Sequence, residues 1–339
     1  MTKINRQIVL ASRPQGLPRE ENFREVHTPL RALEEGEFLV RNLFISLDAG
    51  FRNWMNEGSG DNILPAMPLD AAVMGLTLGE VVESRHAAYS VGDVLMARLA
   101  WEEYSITDGA DFDNPLSGDL ASPLSLYLGM LGDTGLSAYF GLMDIGKPKE
   151  GETVLVSAAG GAVGSVAGQI AKILGARVVG ITSSDDKCQH IIDDLGYDAA
   201  INRRASGALA DNIRNACPAG VDVYFDSIGG SMLEAALENI NAGARVVLCG
   251  AISTYGTESP PPGPNNLFQL VTKQALMQGF MCHFNLERYD EARTQLIEWM
   301  NAGKLRNVEY MLDGIENTAT AFCQMFRGEN YGKTIIKLA

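Results

Sequence analysis

The chain has 339 residues, 46% of them hydrophobic, which is enough for two domains with apolar cores. Its 27 Lys and Arg against 42 Asp and Glu give a formal net charge of −15, and this negative field excludes nucleic acid and anionic membranes as partners. The five cysteines have no paired spacing, and the sequence contains neither a signal segment nor a long apolar run. These features predict a cytoplasmic protein with reduced thiols.

The first third of the chain is predicted to be mostly β-structure. Short β-branched and aromatic runs alternate there with Gly, Pro, Asn and Asp, a pattern typical of strands joined by turns. The predicted strands are residues 6–11, 37–47, 74–83, 94–99 and 103–107. An amphipathic helix is predicted from near Leu124 through Phe140 and Met143.

A complete βαβ unit is predicted for residues 153–181. An apolar strand at 153–157 leads into a turn of glycine and alanine at 158–164, and the helix that follows stops at Gly175 before a second strand. Such a turn places free backbone N–H groups and the positive end of a helix dipole at one point, which suits a pyrophosphate. An ordinary tight turn is the alternative, but the flanking strands and helix favour a dinucleotide site.

After this unit, predicted strands alternate with predicted helices, and this pattern predicts a parallel, doubly wound α/β sheet. Six strands are predicted, at residues 153–157, 177–181, 199–201, 222–225, 244–249 and 278–282. Helices are predicted at 185–195, with Ser183 and Asp186 in capping-box spacing, and at 286–302 and 316–327. A last strand at 333–338 is expected to return to the N-terminal β domain.

Five motifs in order resemble one known family. They are GLSAYFGL at 135–142, AAGGAVGSVAGQIAK at 158–172, FDSIGG at 225–230, CGAISTY at 249–255 and GENYGKT at 328–334. The chain resembles the zinc-independent medium-chain dehydrogenase/reductases, in their leukotriene/prostaglandin reductase and alkenal double-bond reductase branch. The resemblance implies a GroES-like β domain from residues 1–123 and 308–339, a Rossmann domain from 124–307, and an active cleft at their junction. It also implies homodimers joined through the edge of the Rossmann sheet.

The residues also argue against the two zinc sites of alcohol dehydrogenases in the wider superfamily. Those sites draw cysteine and histidine from the β domain, whereas the first cysteine here is Cys188, preceded only by His27 and His86. His190 and His283 have no ligand spacing either, so no metal is expected. Without a metal to polarise a carbonyl, hydride transfer to a conjugated C=C bond is favoured, because hydrogen bonds can stabilise the enolate oxygen.

The segment after the second strand of the βαβ unit predicts the cofactor. An NAD site places Asp or Glu about twenty residues past the glycines, but the strand here ends in Ile-Thr-Ser-Ser at 181–184. Lys187 then stands in the first turn of a helix, where a cation is unfavourable unless an anion binds beside it. These features predict NADPH. The alternative is that Lys187, Arg203 and Arg204 are solvated surface cations, or that Lys187 pairs with the neighbouring Asp185 and Asp186.

The resemblance also implies site residues. Lys187 matches a lysine that meets the 2′-phosphate, Arg203 replaces a tyrosine, and Ser227 replaces an asparagine. The implied cofactor-binding set is Gly161, Ala162, Val163, Gly164, Lys187, Arg203, Ser227, Cys249, Gly250, Ala251, Ile252, Ser253, Thr254, Tyr255, Phe280, Met281, Cys282 and Asn330. Arg52 and Asp133 are predicted to line the substrate pocket, where the family pattern is departed from at positions 50, 133 and 134.

The predicted reaction is the NADPH-dependent reduction of the C=C bond of an α,β-unsaturated ketone or aldehyde. Tyr255 is predicted to be catalytic, because a phenol with an ordinary pKa of about 10 is protonated at neutral pH and can donate to the enolate oxygen. Its alternative role is an aromatic lid. Two other functions stay open: an NADPH quinone reductase, and a cofactor-binding paralogue without catalysis.

Overall fold

The computed structural model describes residues 3–58, 63–256 and 262–338, and these form two compact units. Within these ranges the first unit comprises residues up to Leu128, Tyr255 and Gly256, and residues from Tyr310 onward. The second comprises Gly129–Thr254 and residues 262–309. The domain boundaries predicted from the sequence, at 123/124 and 307/308, stay a prediction.

The secondary structure is as follows. The strands are β1 (Ile4–Leu10), β2 (Phe23–Pro29), β3 (Phe38–Ser46), β4 (Met74–Ser84), β5 (Val94–Ala100), β6 (Tyr104–Thr107), β7 (Asp113–Leu116), β8 (Thr153–Val156), β9 (Arg177–Thr182), β10 (Ala199–Asn202), β11 (Val221–Asp226), β12 (Ile240–Leu248), β13 (Leu276–Gly279), β14 (Glu309–Asp313) and β15 (Lys333–Lys337). The α-helices are α1 (Asp133–Phe140), α2 (Ala162–Ile173), α3 (Asp185–Asp193), α4 (Leu209–Ala216), α5 (Gly230–Leu237), α6 (Phe268–Thr272), α7 (Tyr289–Asn301) and α8 (Thr318–Arg327).

The first unit is built on an antiparallel sheet with the strand order β14-β15-β3-β4-β5-β7, and β6 also pairs with β3. The C-terminal strand β15 lies antiparallel to β3, with Ile336 opposite Ile45. The predicted return of the last strand to the N-terminal sheet is therefore confirmed.

An aromatic cluster ties the C-terminal helix α8 to the N-terminal strands of the same unit. The ring of Phe322 on α8 lies 5.1 Å from the ring of Trp101 and 5.9 Å from that of Phe23. All three side chains are buried in one apolar core. Burial of large aromatic rings is the main source of stability for such a core, so both chain ends contribute to the folding of this unit.

The second unit contains a parallel six-stranded sheet in the order β10-β9-β8-β11-β12-β13. The chain winds outward from β8 to β10 in one direction and from β11 to β13 in the other, which confirms the doubly wound sheet. Ligands of such sheets bind beyond the carboxyl ends of the two central strands, where the winding direction changes. Here that point lies between Val156 at the end of β8 and Asp226 at the end of β11.

Close backbone packing explains two glycines of α2. A Cβ atom at Gly164 would overlap the carbonyl of Ala158, and one at Gly168 would overlap the ring of Tyr197. Tyr197 is buried, and its hydroxyl donates a 2.7 Å hydrogen bond to the Gly164 carbonyl. The glycines therefore let α2 approach both the turn and this tyrosine.

Three predicted elements are wrong in their extent. The predicted helix from Leu124 to Met143 is interrupted, because residues 129–132 leave the helical path and α1 begins only after an extended Gly132. The predicted strand at 278–282 ends at Gly279, since its neighbour β12 ends at Leu248 and offers no further backbone partner. The predicted helix at 286–302 begins at Tyr289, after a 3-10 segment. The predictions also missed β2, β7 and β14.

Among the described residues, no helix has the length and apolarity required to cross a bilayer.

Candidate active site

The glycine turn ends at the amino terminus of α2, which is arranged to bind an anion. Gly161 is the extended N-cap residue, and its amide donates to the Ala158 carbonyl at 2.8 Å. Within the described residues, the amides of Ala162, Val163 and Gly164 donate to no acceptor. Free N–H groups at the positive end of a helix dipole attract phosphate oxygens. The structure thus brings Gly161, Ala162, Val163 and Gly164 together as predicted for a pyrophosphate site.

Lys187 lies against this turn. A Cβ atom at Gly160 would lie 3.6 Å from Cδ of Lys187, so the aliphatic stem packs on the glycines. The residue is only 7% exposed, which removes the alternative of a solvated surface cation. Burial, and then the positive charge of Arg204, lower the pKa of Lys187 to about 8.

The helix that presents Lys187 is capped differently from the prediction. Ser184, not Ser183, is the N-cap residue, and its Oγ accepts a 3.3 Å hydrogen bond from the Lys187 amide. The extended backbone at Ser184 allows the cap, and α3 begins at Asp185. Lys187 consequently occupies the third helical position.

Arginines lie at the end of the neighbouring strand β10. Arg203 and Arg204 have exposed side chains, and the Arg203 amide donates to the Thr182 carbonyl at the end of β9 at 3.0 Å. Asp185 accepts a 2.8 Å hydrogen bond from Asn202. No acidic residue ends β9, so this edge of the sheet has the composition that a 2′-phosphate requires.

Asp226 organises the turn that follows β11, and the sequence analysis assigned it no role. The side chain is fully buried. Oδ1 accepts hydrogen bonds from the Ser157 and Tyr224 hydroxyls at 3.1 and 2.9 Å and from the Ile228 amide at 2.9 Å. Burial raises the pKa of this carboxyl, against the opposing effect of these donors. An Asp at the end of a central strand, before a Gly-Gly pair, is the sequence signal that could have identified it.

The same turn positions the segment 249–254, whose members the resemblance assigned to the cofactor. The Asp226 carbonyl accepts from the amides of Cys249 and Gly250 at 2.8 and 3.2 Å. Ser253 donates from its backbone amide and from Oγ to the Ile228 carbonyl, at 3.0 and 2.7 Å. These bonds bring the segment of Cys249, Gly250, Ala251, Ile252, Ser253 and Thr254 beside Ser227.

Ser227 has an oxygen that lacks a partner. Its amide donates to Ser157 Oγ at 2.8 Å, but its own Oγ is buried and makes no hydrogen bond within the described residues. A buried hydroxyl without a partner costs about 1–3 kcal/mol, and a polar ligand group would relieve that cost. The predicted place of Ser227 beside the cofactor stays a prediction.

Phe280, Met281 and Cys282 follow β13. A Cβ atom at Gly141 would lie 2.6 Å from the ring of Phe225 and 2.9 Å from that of Phe280, so Phe280 packs where α1 ends. Met281 is partly exposed, and Cys282 is buried. Cys282 and His283 lie beside Asp133, and His283 Nε2 is 3.0 Å from Asp133 Oδ2. Asp133 is distant from His283 in sequence but adjacent in the fold, so the spacing along the chain did not indicate this group. The expectation that the protein binds no metal stays a prediction.

The remaining predicted residues lie in the first unit. Arg52 is fully buried, and its guanidinium donates to the carbonyls of Pro14 and Gly16 at 2.8 and 2.7 Å. A Cβ atom at Gly256 would lie 2.8 Å from Arg52 Nη2, so Arg52 packs beside the residue that follows Tyr255. This is the environment of a residue that orders the backbone; its place in the substrate pocket stays a prediction. Asn330 is buried and donates to the Gly332 carbonyl at 3.1 Å.

Comparison with known proteins establishes the family. Residues 6–114 match the model described as the N-terminal domain of oxidoreductase, and residues 162–302 match the model described as zinc-binding dehydrogenase. Prostaglandin reductase 1 of Rattus norvegicus is 40% identical over 95% of this chain and 96% of that protein. The chain belongs to the medium-chain dehydrogenase/reductase family. It is an NADPH-dependent oxidoreductase.

Two further relatives are similar over nearly the whole chain. The 2-alkenal reductase (NADP(+)-dependent) of Nicotiana tabacum is 35% identical over 99% of this chain and 98% of that protein. The crystal structure of CurA in complex with NADPH from Vibrio vulnificus has a TM-score of 0.90 and 38% identity, covering 98% of this chain and 99% of that one. These similarities confirm the predicted fold class, a GroES-like β domain with a Rossmann sheet, and the predicted cofactor, NADP(H). Three features of the second unit are compatible with this cofactor. They are the unbonded amides at the start of α2, the buried side chain of Lys187, and the buried Oγ of Ser227.

Replacing Asp226 by alanine should lower the free energy of unfolding by about 3 kcal/mol, since two hydroxyls and two amides lose their buried acceptor. Asp226→Asn, which keeps one acceptor oxygen, should lose less. Urea unfolding followed by circular dichroism measures both. An alanine variant within about 0.5 kcal/mol of the wild type, the range of surface substitutions, would contradict this role.

The low pKa of Lys187 predicts that NADPH binding weakens with rising pH. A phosphate prefers the protonated amine, so affinity should be full below the free-enzyme pKa of about 8 and should fall about tenfold between pH 7 and pH 9. Fluorescence titration with NADPH measures this. Lys187→Arg should bind with little pH dependence, because a guanidinium stays charged. If the affinity of Lys187→Arg for NADPH, or of the wild type for NADH, fell equally between pH 7 and pH 9, Lys187 would not be part of the phosphate site.

Proposed function

We propose that this chain reduces the C=C bond of α,β-unsaturated aldehydes or ketones with NADPH. The observation that best supports the proposal is the similarity over nearly the full chain to an NADP-dependent 2-alkenal reductase, joined to a phosphate-binding turn with a buried lysine. When bound, NADPH supplies the hydride. The nearest alternative chemistry, reduction of a free carbonyl with catalytic zinc, is disfavoured because residues 1–187 contain no cysteine.

In this proposal each group of residues binds one part of the cofactor or of the substrate. The amides at the start of α2 hold the pyrophosphate, and Lys187, with Arg203 and Arg204 nearby, selects the 2′-phosphate. Ser227 and the segment 249–254 bind the rest of the cofactor. Tyr255 donates a hydrogen bond to the substrate carbonyl oxygen as negative charge develops there, which lowers the barrier. Arg52, which packs beside Gly256, is a positioning residue for Tyr255 in this scheme.

We also infer that the protein is a cytoplasmic homodimer. Five free cysteines among the described residues fit a reducing compartment. Strand β13 is an edge strand of the six-stranded sheet. Leu276 on this strand and Phe268 and Val271 on α6 are exposed apolar side chains. An unpaired strand edge beside exposed apolar groups is a surface suited to a second copy.

The function is tested by following NADPH oxidation with a long-chain 2-enal, an enone, a naphthoquinone and a saturated aldehyde. We expect turnover of the enal and the enone only, with a saturated carbonyl product identified by mass spectrometry. Faster turnover of the naphthoquinone would instead identify a quinone reductase. NADPH binding without oxidation of any substrate would identify a non-catalytic paralogue, and equal turnover with NADH would refute the phosphate selection by Lys187.

The role of Tyr255 has its own test. Tyr255→Phe should lower kcat/KM for the enal about 100-fold, the cost of one donor to a developing oxyanion, while leaving the Kd of NADPH unchanged. Tyr310→Phe is the matched control, because Tyr310 also lies in the first unit but its hydroxyl faces Gln324. Full activity of Tyr255→Phe would assign that residue to pocket shape alone.

A further inference from the structure

Three side chains of different donor types meet in the second unit. Asp133 is the first residue of α1, and Cys282 and His283 begin the 3-10 segment after β13. One donor atom from each lies within 4.8 Å of the other two. Asp133 Oδ2 is 3.0 Å from His283 Nε2, and Cys282 Sγ is 3.8 Å from His283 Nδ1. A carboxylate, a thiol and an imidazole therefore converge from two segments that are far apart in sequence.

The surroundings of this cluster are partly closed. Cys282 is 4% exposed, the Asp133 side chain 14% and the His283 side chain 34%. The sulfur is therefore shielded from solvent, while the imidazole leaves a path for a small ion to enter. Because water reaches these donor atoms poorly, it competes weakly with an ion for them.

Two buried oxygen atoms at this place lack hydrogen bonds. Within the described ranges, neither Oδ1 of Asp133 nor the Tyr289 hydroxyl has a partner. Burial, and then the negative charges of Asp133 and Cys282, raise the pKa of Tyr289. Buried oxygens without partners are uncommon in folded proteins and call for an explanation such as an ion or water.

We propose that Asp133, Cys282 and His283 bind a divalent ion of the zinc class. Thiolate, imidazole and carboxylate are the ligands that Zn²⁺ prefers, and the sulfur disfavours Mg²⁺ and Ca²⁺. Ligand bonds of about 2.0–2.3 Å at tetrahedral angles separate donor atoms by about 3.3–3.8 Å, and here one donor atom from each side chain lies within 4.8 Å of the other two. Three protein ligands leave a fourth position for water.

This site is different from the zinc sites that the sequence argues against. Those require cysteines from the β domain, whereas all three ligands proposed here belong to the second unit. The ion would join the start of α1 to the segment after β13. The proposal gives it no part in hydride transfer and does not depend on the proposed function.

The competing explanation is an ion pair without metal. The Asp133 hydrogen bond, and then that of Cys282, raise the pKa of His283 to about 10, so a protonated imidazole pairs with the carboxylate when no metal is bound. The ion must replace that proton and the thiol proton. A second pair serves as a matched control: His190 on α3 and Asp194, the residue after α3, are 2.8 Å apart. Among the described residues, this pair belongs to no group of three possible metal ligands.

The test uses the full chain, dialysed against EDTA and then against metal-free buffer. Titration with ZnCl₂ should show one ion bound per chain, and CoCl₂ should produce the thiolate-to-cobalt charge-transfer absorption. Cys282→Ser should abolish that absorption, and Asp133→Asn and His283→Gln should weaken zinc binding at least 10- to 100-fold, about the loss seen when only a supporting residue is removed. His190→Gln and Cys188→Ser should bind as the wild type does.

Circular dichroism and the unfolding midpoint establish that each variant is folded. His283→Gln changes a partly exposed side chain, so it provides the test if Cys282→Ser does not fold. No saturable zinc binding by the wild type would overturn the proposal and identify an ion pair only. Equal zinc affinity in the wild type and in His283→Gln would overturn it as well, by showing that zinc binds elsewhere.

Discussion

The second unit depends on the buried carboxylate of Asp226. Its side chain holds Ser157 at the end of β8 and the turn after β11, and its carbonyl holds Cys249 at the end of β12. Three adjacent strand ends are thereby fixed at the point where the sheet changes winding direction, which is where such sheets bind ligands. A buried charge is tolerated only when its hydrogen bonds are satisfied, and here two of the donors are amides of the turn that holds the segment 249–254.

On the other side of the glycine turn the buried charge is positive: it is the ammonium group of Lys187. The chain as a whole has a net charge of −15, yet the amino end of α2, Lys187 and Arg204 concentrate positive potential at one edge of the sheet. Because Lys187 is buried, its charge is poorly screened by water and interacts strongly with an anion. Burial also lowers its pKa to about 8, so the charge of Lys187 changes with pH within the neutral to alkaline range.

Most of the fold could be predicted, and the errors have local physical causes. The six strands of the parallel sheet follow from apolar β-branched runs between glycines, and all six are present. The errors lie where local preference was overruled. Residues 124–143 have helical periodicity, but the extended backbone at Gly132 breaks the helix. Residues 280–282 are apolar, but β12 ends too early to pair with them.

The sequence by itself determined the α/β fold class and the choice of NADPH. The first follows from the alternating strand and helix patterns, and the second from the missing acidic residue after β9 together with Lys187. Tertiary structure alone decided that Lys187 is buried, that Asp226 joins three strand ends, and that Asp133 meets Cys282 and His283. These facts depend on which distant segments become neighbours. Residue spacing along one chain cannot specify such proximity, because it arises only when the sheet and its helices pack together.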